Sequence, residues 1–354
     1  MNAQAAPGGG TRMRAEIGEQ PAALRATLDE LLPRTGDVAA LASGTRQVLF
    51  IARGTSDNAA VYGQYLVQVH AGRLAALATP SVATTYQARV NLSGVLAVAL
   101  SQSGRTEEIV GTLEWARDCG ARTLAITNGA GSALAETAEL ALVTRAGEEV
   151  AVPATKTYTT QLAALAVLAL GLGGTGSGLD AGALRAVPDE VARVIDADGP
   201  YARVADELAG VSGAVVSGRG MAFSTALELA LKLKEACYLH AMGLSYADLL
   251  HGPIAVVDAD TPALVVAAES GPTLAGTVAL ARRVADAGAR AYAIGGGDEL
   301  AAACHLALPG PALPEWLAPI GTIVPGQMLT EMLARRRGID PDAPRGLGKV
   351  TQTA

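Results

Sequence analysis

Short unbroken apolar runs, each closed by glycine or serine, alternate along this chain with stretches whose apolar positions recur at helical spacing. Gln47-Val48-Leu49-Phe50-Ile51-Ala52-Arg53-Gly54 is one such run, followed by a helical pattern through Gln64-Tyr65-Leu66-Val67. Val95 to Leu100 is the next, leading into Ser101-Gln102-Ser103-Gly104-Arg105-Thr106, and Thr123 to Asn128 comes after another helix. The series then recurs. Ala214 to Gly220 opens it, Leu264 to Ala268 leads into Glu269-Ser270-Gly271-Pro272-Thr273, and Ala291 to Gly296 follows. Continuous apolar runs are strands covered on both faces, and strand–helix–strand units at this spacing make right-handed crossovers in a parallel sheet. The pattern therefore predicts an α/β protein of two tandem repeats, each of about 150 residues. We place a tail and leading helical segment at 1–40, the first repeat at 41–196, the second at 197–338 and an irregular tail at 339–354. Asp, Gly and Pro cluster between Asp196 and Ala202, where the repeats join.

One helix departs from the ordinary amphipathic pattern. In Ala-Leu-Glu-Leu-Ala-Leu-Lys-Leu-Lys-Glu, 226–235, Glu228, Lys232 and Glu235 fall within roughly 60° of one another on one face. Leu227, Leu229, Leu231 and Leu233 flank them and only Lys234 points elsewhere, so a narrow charged stripe crosses a helix buried nearly all round. Buried charges are costly unless paired or used. The pattern is compatible with a plain Glu–Lys pair on a half-exposed helix, or with a carboxylate and an amine set in a cleft for proton transfer. A second titratable group, in His251-Gly252-Pro253, follows on a loop.

Composition narrows the classes. Half of the 354 residues are apolar but only 3% are aromatic, which suits small residues packed between helices and parallel strands. A net charge of −7 with no basic run ahead of the tail argues against a nucleic-acid surface. Cys119, Cys237 and Cys304 have neither metal spacing nor an even-numbered framework, and the four histidines show no metal pattern. Reduced thiols, no metal and no cofactor are expected, in a cytoplasmic protein. The stretch Leu162 to Leu172 is too short to span a bilayer and is read as a buried helix.

Two Ser/Thr clusters stand where strands of the first repeat turn into helices: Gly54-Thr55-Ser56 and Ser101 to Thr106. Free N–H groups at helix starts, together with hydroxyls, make a phosphate cradle, although Ser and Thr there also serve simply as caps. No Walker lysine follows either loop, and Phe223 stands where a dinucleotide loop beginning at Gly218-Arg219-Gly220 needs its third glycine. In the second repeat Ala268-Glu269 replaces Ser101-Gln102, and a carboxylate there disfavours phosphate.

Taken together, Gly54-Thr55-Ser56, Ser101-Gln102-Ser103-Gly104, Thr155-Lys156 before Thr159-Thr160-Gln161, Leu231-Lys232-Leu233-Lys234-Glu235 and His251-Gly252-Pro253 resemble the tandem sugar isomerase (SIS) domain family. Within it, the chain is similar to the isomerase half of glucosamine-6-phosphate synthase and to stand-alone deaminases of the SIS type. The resemblance runs from Glu16-Ile17 to Gly348-Lys349 and implies two five-stranded parallel sheets between helices, in a flavodoxin-like sandwich, and a homodimer. It implies a phosphorylated amino sugar or ketose phosphate held by Ser56, Ser101, Gln102, Ser103 and Thr106, with Thr55, Val152 and Thr155 near the sugar. Glu235 matches the base that moves a proton between C1 and C2, with Glu228 and Lys232 its polar neighbours. His251 matches the ring-opening histidine, which family dimers insert from the partner chain, and Lys349 matches the tail lysine that attacks the open-chain carbonyl or helps open the ring. Departures at Arg105, Ala154, Met242 and Asp248 bear on the choice of sugar.

Synthases of this type carry a glutaminase whose nucleophilic cysteine follows the initiator Met. Here Asn2 follows Met1, so the expectation is a chain that does not hydrolyse glutamine itself. Deamination of an amino-sugar 6-phosphate is the expected reaction. An ammonia-fed synthase-like isomerase, a fructosamine-phosphate deglycase and a non-catalytic phosphosugar sensor are the alternatives. The 1–40 segment has neither the length nor the charge of the DNA-binding helices such sensors carry.

Overall fold

The computed structural model describes residues 11–173 and 176–349. Two compact units are present, each built on one five-stranded parallel sheet. The first comprises Pro21–Gly147 and Thr157–Asp189; the second comprises residues up to Gln20, Glu148–Lys156 and Glu190–Lys349.

In the first unit the strands are β1 (Gln47–Ile51), β2 (Leu74–Leu77), β3 (Val95–Leu100), β4 (Arg122–Thr127) and β5 (Leu140–Val143). Their order is β2-β1-β3-β4-β5, and β1 pairs with β3 from Gln47↔Val95 to Ile51↔Ala99. The chain runs from β1 outward to β2 and then returns across β1 to β3, so the crevice of this sheet opens beyond the carboxyl ends of β1 and β3. Both Ser/Thr clusters leave the sheet there. Val95 to Leu100 is buried at every position, as a central parallel strand must be. Ala97 and Ala99 leave room for Ile109, Leu113 and Ala116 of the covering helix Glu107–Asp118.

The helix Lys156–Leu172 is buried along almost its whole length. A Cβ at Gly63 would stand 2.7 Å from Leu165 Cδ2 and 2.9 Å from Phe50 Cζ, so glycine is what lets the helix Gly54–His70 approach so closely. The apolar run is thus a core helix, and among the described residues no helix is long and apolar enough to cross a membrane.

The second unit repeats the plan with β6 (Gly213–Gly218), β7 (His240–Ser245), β8 (Ala263–Ala267), β9 (Ala291–Gly295) and β10 (Leu306–Leu308), ordered β10-β9-β8-β6-β7. Val265, Ala267, Ala291 and Ala293 pack against Val278, Ala281 and Val284 of the helix Leu274–Asp286. The charged helix, Ala222–Cys237, lies on β6 and β7 and against the helix Ala318–Arg336. Close approach again needs glycine: a Cβ at Gly243 would sit 3.0 Å from the Leu227 Cα, and one at Gly326 3.0 Å from Leu229 Cδ1.

Candidate functional site

In the first unit, Gly54 opens the helix Gly54–His70 directly after β1, and Thr106 is the residue before the helix Glu107–Asp118 that follows β3. Thr106 makes no side-chain cap, although it occupies the capping position. Ser101 Oγ accepts from Gly104 N at 3.2 Å, and Ser103 Oγ accepts from Arg105 N at 3.2 Å. These contacts use both oxygens as acceptors within the loop, so each hydroxyl keeps a proton to donate. Ser56, largely buried, accepts from Gln161 Nε2 at 3.0 Å. The two loops are tied together by a pair absent from the sequence expectations. Arg53 donates to Glu108 through Nε at 2.9 Å and Nη2 at 2.8 Å, joining the end of β1 to the helix after β3. Ser56, Ser101, Gln102, Ser103 and Thr106 therefore come from two adjacent strand ends, with Thr55 beside Ser56 in the first turn of its helix.

In the second unit the helix Ala222–Cys237 buries Glu228 completely and leaves Lys232 only 1% exposed, while Glu235 keeps 24%. Lys232 Nζ lies 2.5 Å from Glu235 Oε2 and 3.5 Å from Glu228 Oε1. Burial alone would lower the Lys232 pKa, but the two carboxylates outweigh it and hold the ammonium above the ordinary lysine value. The stripe is therefore a charged triplet inside the unit, and Lys234 faces solvent. Glu235, at the rim, is the member that solvent reaches.

The tail is laid against the same unit. Tyr238 ends the charged helix in the left-handed region, at φ 52°, and its hydroxyl accepts from Arg345 N at 2.7 Å while the Arg345 guanidinium lies 4.3 Å over its ring. Asp342 accepts from Arg12 N at 2.9 Å and Met13 N at 2.8 Å, closing the start of the helix Arg12–Gly18. Further along, Lys349 Nζ donates to Glu149 Oε2 and to the Ala151 carbonyl, each at 2.7 Å. Val152 N donates to the Asp342 carbonyl at 2.9 Å. Thr155 is buried with its N and Oγ1 both donating to Glu149, so its hydroxyl already has a partner. His251 follows the short helix Tyr246–Leu250 on an exposed turn, and its ring makes no hydrogen bond to another described residue.

Glu149 was not anticipated. It follows Glu148, and adjacent acids read as a solvated pair, yet Glu148 is exposed and Glu149 buried. Only the apolar Val150-Ala151-Val152 after it hinted at an inward turn. Among the described residues no group of three or more His, Cys, Asp or Glu side chains is placed to hold a metal ion.

Two parallel sheets of one topology are thus present, with hydroxyl loops at the crevice of the first and a buried Glu–Lys–Glu helix in the unit of the second. The chain belongs to the SIS domain family, whose model matches residues 43–171 and 207–336. Glutamine–fructose-6-phosphate aminotransferase (isomerizing) of Symbiobacterium thermophilum is 35% identical over 359 residues, covering 95% of this chain and 58% of that protein. The corresponding Acidithiobacillus ferridurans protein is 36% identical over 357 residues, with the same two shares. The chain thus spans less than two thirds of the curated relatives it matches. Among solved structures, the C-terminal domain of glucosamine-fructose-6-phosphate aminotransferase from Francisella tularensis superposes with a TM-score of 0.86 at 27% identity, covering 96% of this chain and all of that one. A glucosamine-6-phosphate deaminase from Thermotoga maritima, at 23% identity and TM-score 0.78 over 97% of this chain and all of that one, shares the fold.

Proposed function

We propose that this protein is an isomerising deaminase of an amino-sugar 6-phosphate, converting glucosamine 6-phosphate and water to fructose 6-phosphate and ammonia. The observation that carries the reading is the Glu228–Lys232–Glu235 triplet, where a buried ammonium stands between two carboxylates and only Glu235 is reachable. Ser56, Ser101, Gln102, Ser103 and Thr106 take the phosphate with hydroxyl, amide and helix-start N–H donors, which suits a chain of net charge −7 without a basic surface. Thr55, Val152 and Thr155 lie near the sugar, Thr155 with its N and Oγ1 already donating to Glu149. His251 opens the ring, supplied from the partner chain of a homodimer, which accords with its exposed turn. Lys349 stands by the open-chain carbonyl.

Glu235 then removes the proton from C2 and returns it to C1 while one amine proton passes to O1, turning the open-chain 2-amino aldehyde into a ketose imine. Water adds at C2 and ammonia leaves. Lys232 Nζ, 2.5 Å from Glu235 Oε2, orients that carboxylate for the transfer, and general-base catalysis of this kind contributes on the order of 10²–10⁴ in rate. We assign the reaction to the cytoplasm. The similarity to aminotransferases favours a second reading, in which the same proton shuttle runs from fructose 6-phosphate and ammonia toward glucosamine 6-phosphate.

Purified protein given glucosamine 6-phosphate should release ammonia and fructose 6-phosphate in equal amounts, and Glu235→Gln should reduce kcat by about 10²-fold or more while still binding fructose 6-phosphate. Product only from fructose 6-phosphate and ammonium would select the second reading. Full turnover by Glu235→Gln would remove Glu235 as the base, and binding without turnover in either direction would leave a sensor.

A further inference from the structure

Glu149 has no part in the proton transfer above, yet its setting is the most constrained of any carboxylate facing the tail. It lies in the segment Glu148–Lys156 of the second unit, and its side chain is 0% exposed while that of Lys349 keeps 25%. Oε2 accepts from Lys349 Nζ at 2.7 Å; Oε1 accepts from Thr155 N at 2.9 Å and Thr155 Oγ1 at 3.3 Å. Both oxygens are therefore engaged, one by the segment's own backbone and one by a residue distant in sequence. Beneath it Glu16 fixes the same segment, accepting from Val150 N at 2.5 Å and from Ala151 N. The negative charge of Glu149 also acts on Lys232, which places it in the electrostatic surroundings of the Glu228–Lys232–Glu235 triplet.

A tail that needed only fastening has other fastenings here: Asp342 on the first helix, and Arg345 on Tyr238. An exposed ion pair would add a further one without desolvating a carboxylate, and burying one partner costs more than such a pair returns. The burial is explained if the Lys349 amine must stand in one place. We infer that Glu149 is a positioning residue, which holds the Lys349 amine at a fixed point through the Lys349–Glu149 pair and the Ala151 carbonyl. The inference rests on the catalytic reading of Lys349 proposed above. It adds that Lys349 works from a built socket and not from a free tail, and that Glu149 acts through it.

The test is a double-mutant cycle on the full chain with Glu149→Gln, Lys349→Ala and both together. Glu149→Gln should lower kcat about tenfold or more with KM within about twofold, and the double variant should be no slower than Lys349→Ala alone. Full activity in Glu149→Gln, or losses that multiply in the double variant, would overturn the inference. Docking is read separately, without any substrate, from the rate of tryptic cleavage after Arg345. Each single variant should raise that rate by a similar factor of about ten, and an unchanged rate in both would overturn the socket whatever the reaction proves to be. Lys349→Ala, altered on the exposed side of the pair, keeps this arm informative should Glu149→Gln fold poorly.

Discussion

Replacing Lys232 by methionine would remove the ammonium that stands 3.5 Å from the Glu228 carboxylate, a group with no solvent exposure. Removing one partner of a buried pair commonly destabilises by about 3–5 kcal/mol, against roughly 1.5–3 kcal/mol for the burial of one leucine. Lys232→Met should therefore shift the urea midpoint more than truncating Leu231, a partly exposed flanking residue, and Lys232→Met/Glu228→Gln should recover most of the loss. If the double variant is as unstable as the single one, packing of the lysine stem and not its charge is what matters. The sign of the pH effect follows from the raised Lys232 pKa. Its stabilisation is present below the ordinary value of 10.5 and fades only as pH rises past the folded-state value. This triplet was readable from the sequence because three charges at helical spacing stood among leucines. Glu149 was not, because its partner Lys349 lies far along the chain, and no local pattern encodes that contact.

At the scale of elements, the central strands were legible and the edge strands were not. Val95 to Leu100 and Ala263–Ala267 are apolar at every position because both faces are covered, whereas His240–Ser245 runs exposed, buried, exposed and then half-buried through Gly243 to Ser245, with no strand-like apolar run. The adjacency of β1 and β3, on which the proposed phosphate cradle depends, follows from the crossover order and could only be supposed from spacing. The loop after β3 has its own constraint. Gly104 has φ 62°, and a Cβ there would stand 2.1 Å from Ser132 Oγ and 2.8 Å from Thr127 Oγ1. Ser132 caps the helix Ala133–Thr137, accepting from Ala135 N and donating to the Gly129 carbonyl. Gly104→Ala must therefore either distort the loop or uncap that helix. A loss of about 1–3 kcal/mol in stability is expected, with weaker binding of fructose 6-phosphate by calorimetric titration. Unchanged affinity in a folded Gly104→Ala protein would mean that the loop's backbone does not meet the phosphate.

Over the whole molecule, the duplication was visible as two series of apolar runs, and the two sheets share one strand order. Membership of the units was less visible. The first helix and the segment Glu148–Lys156 belong with the second unit, through hydrogen bonds such as Met13 N to Asp342 and Val150 N to Glu16. Acid stability should be governed by a cluster that no motif announced. Glu207 accepts from the Tyr292 hydroxyl at 2.7 Å, pairs with Arg203 at 3.0 Å and lies 3.0 Å from His305 Nε2. Burial by itself would raise its carboxyl, but these hydrogen bonds and the His305 charge outweigh it and bring the pKa down to about 2 from 4.5. A depressed carboxyl stabilises fully above its unfolded value and loses that contribution as pH falls through the folded one, so the window runs from about pH 4.5 to about pH 2. The contribution is about 3 kcal/mol at most, at 1.36 kcal/mol per unit. Glu16 has the opposite sign: burial holds its carboxyl above 4.5, so ionising it costs stability as pH rises. Unfolding free energies measured between pH 7 and 3 should accordingly fall less steeply in Glu207→Gln than in the parent, from a lower starting value, whereas Glu16→Gln should leave the acid slope no shallower. Parallel slopes for Glu207→Gln and the parent would show that Glu207 is not held as an anion by its neighbours, and that the acid limb belongs to other carboxylates.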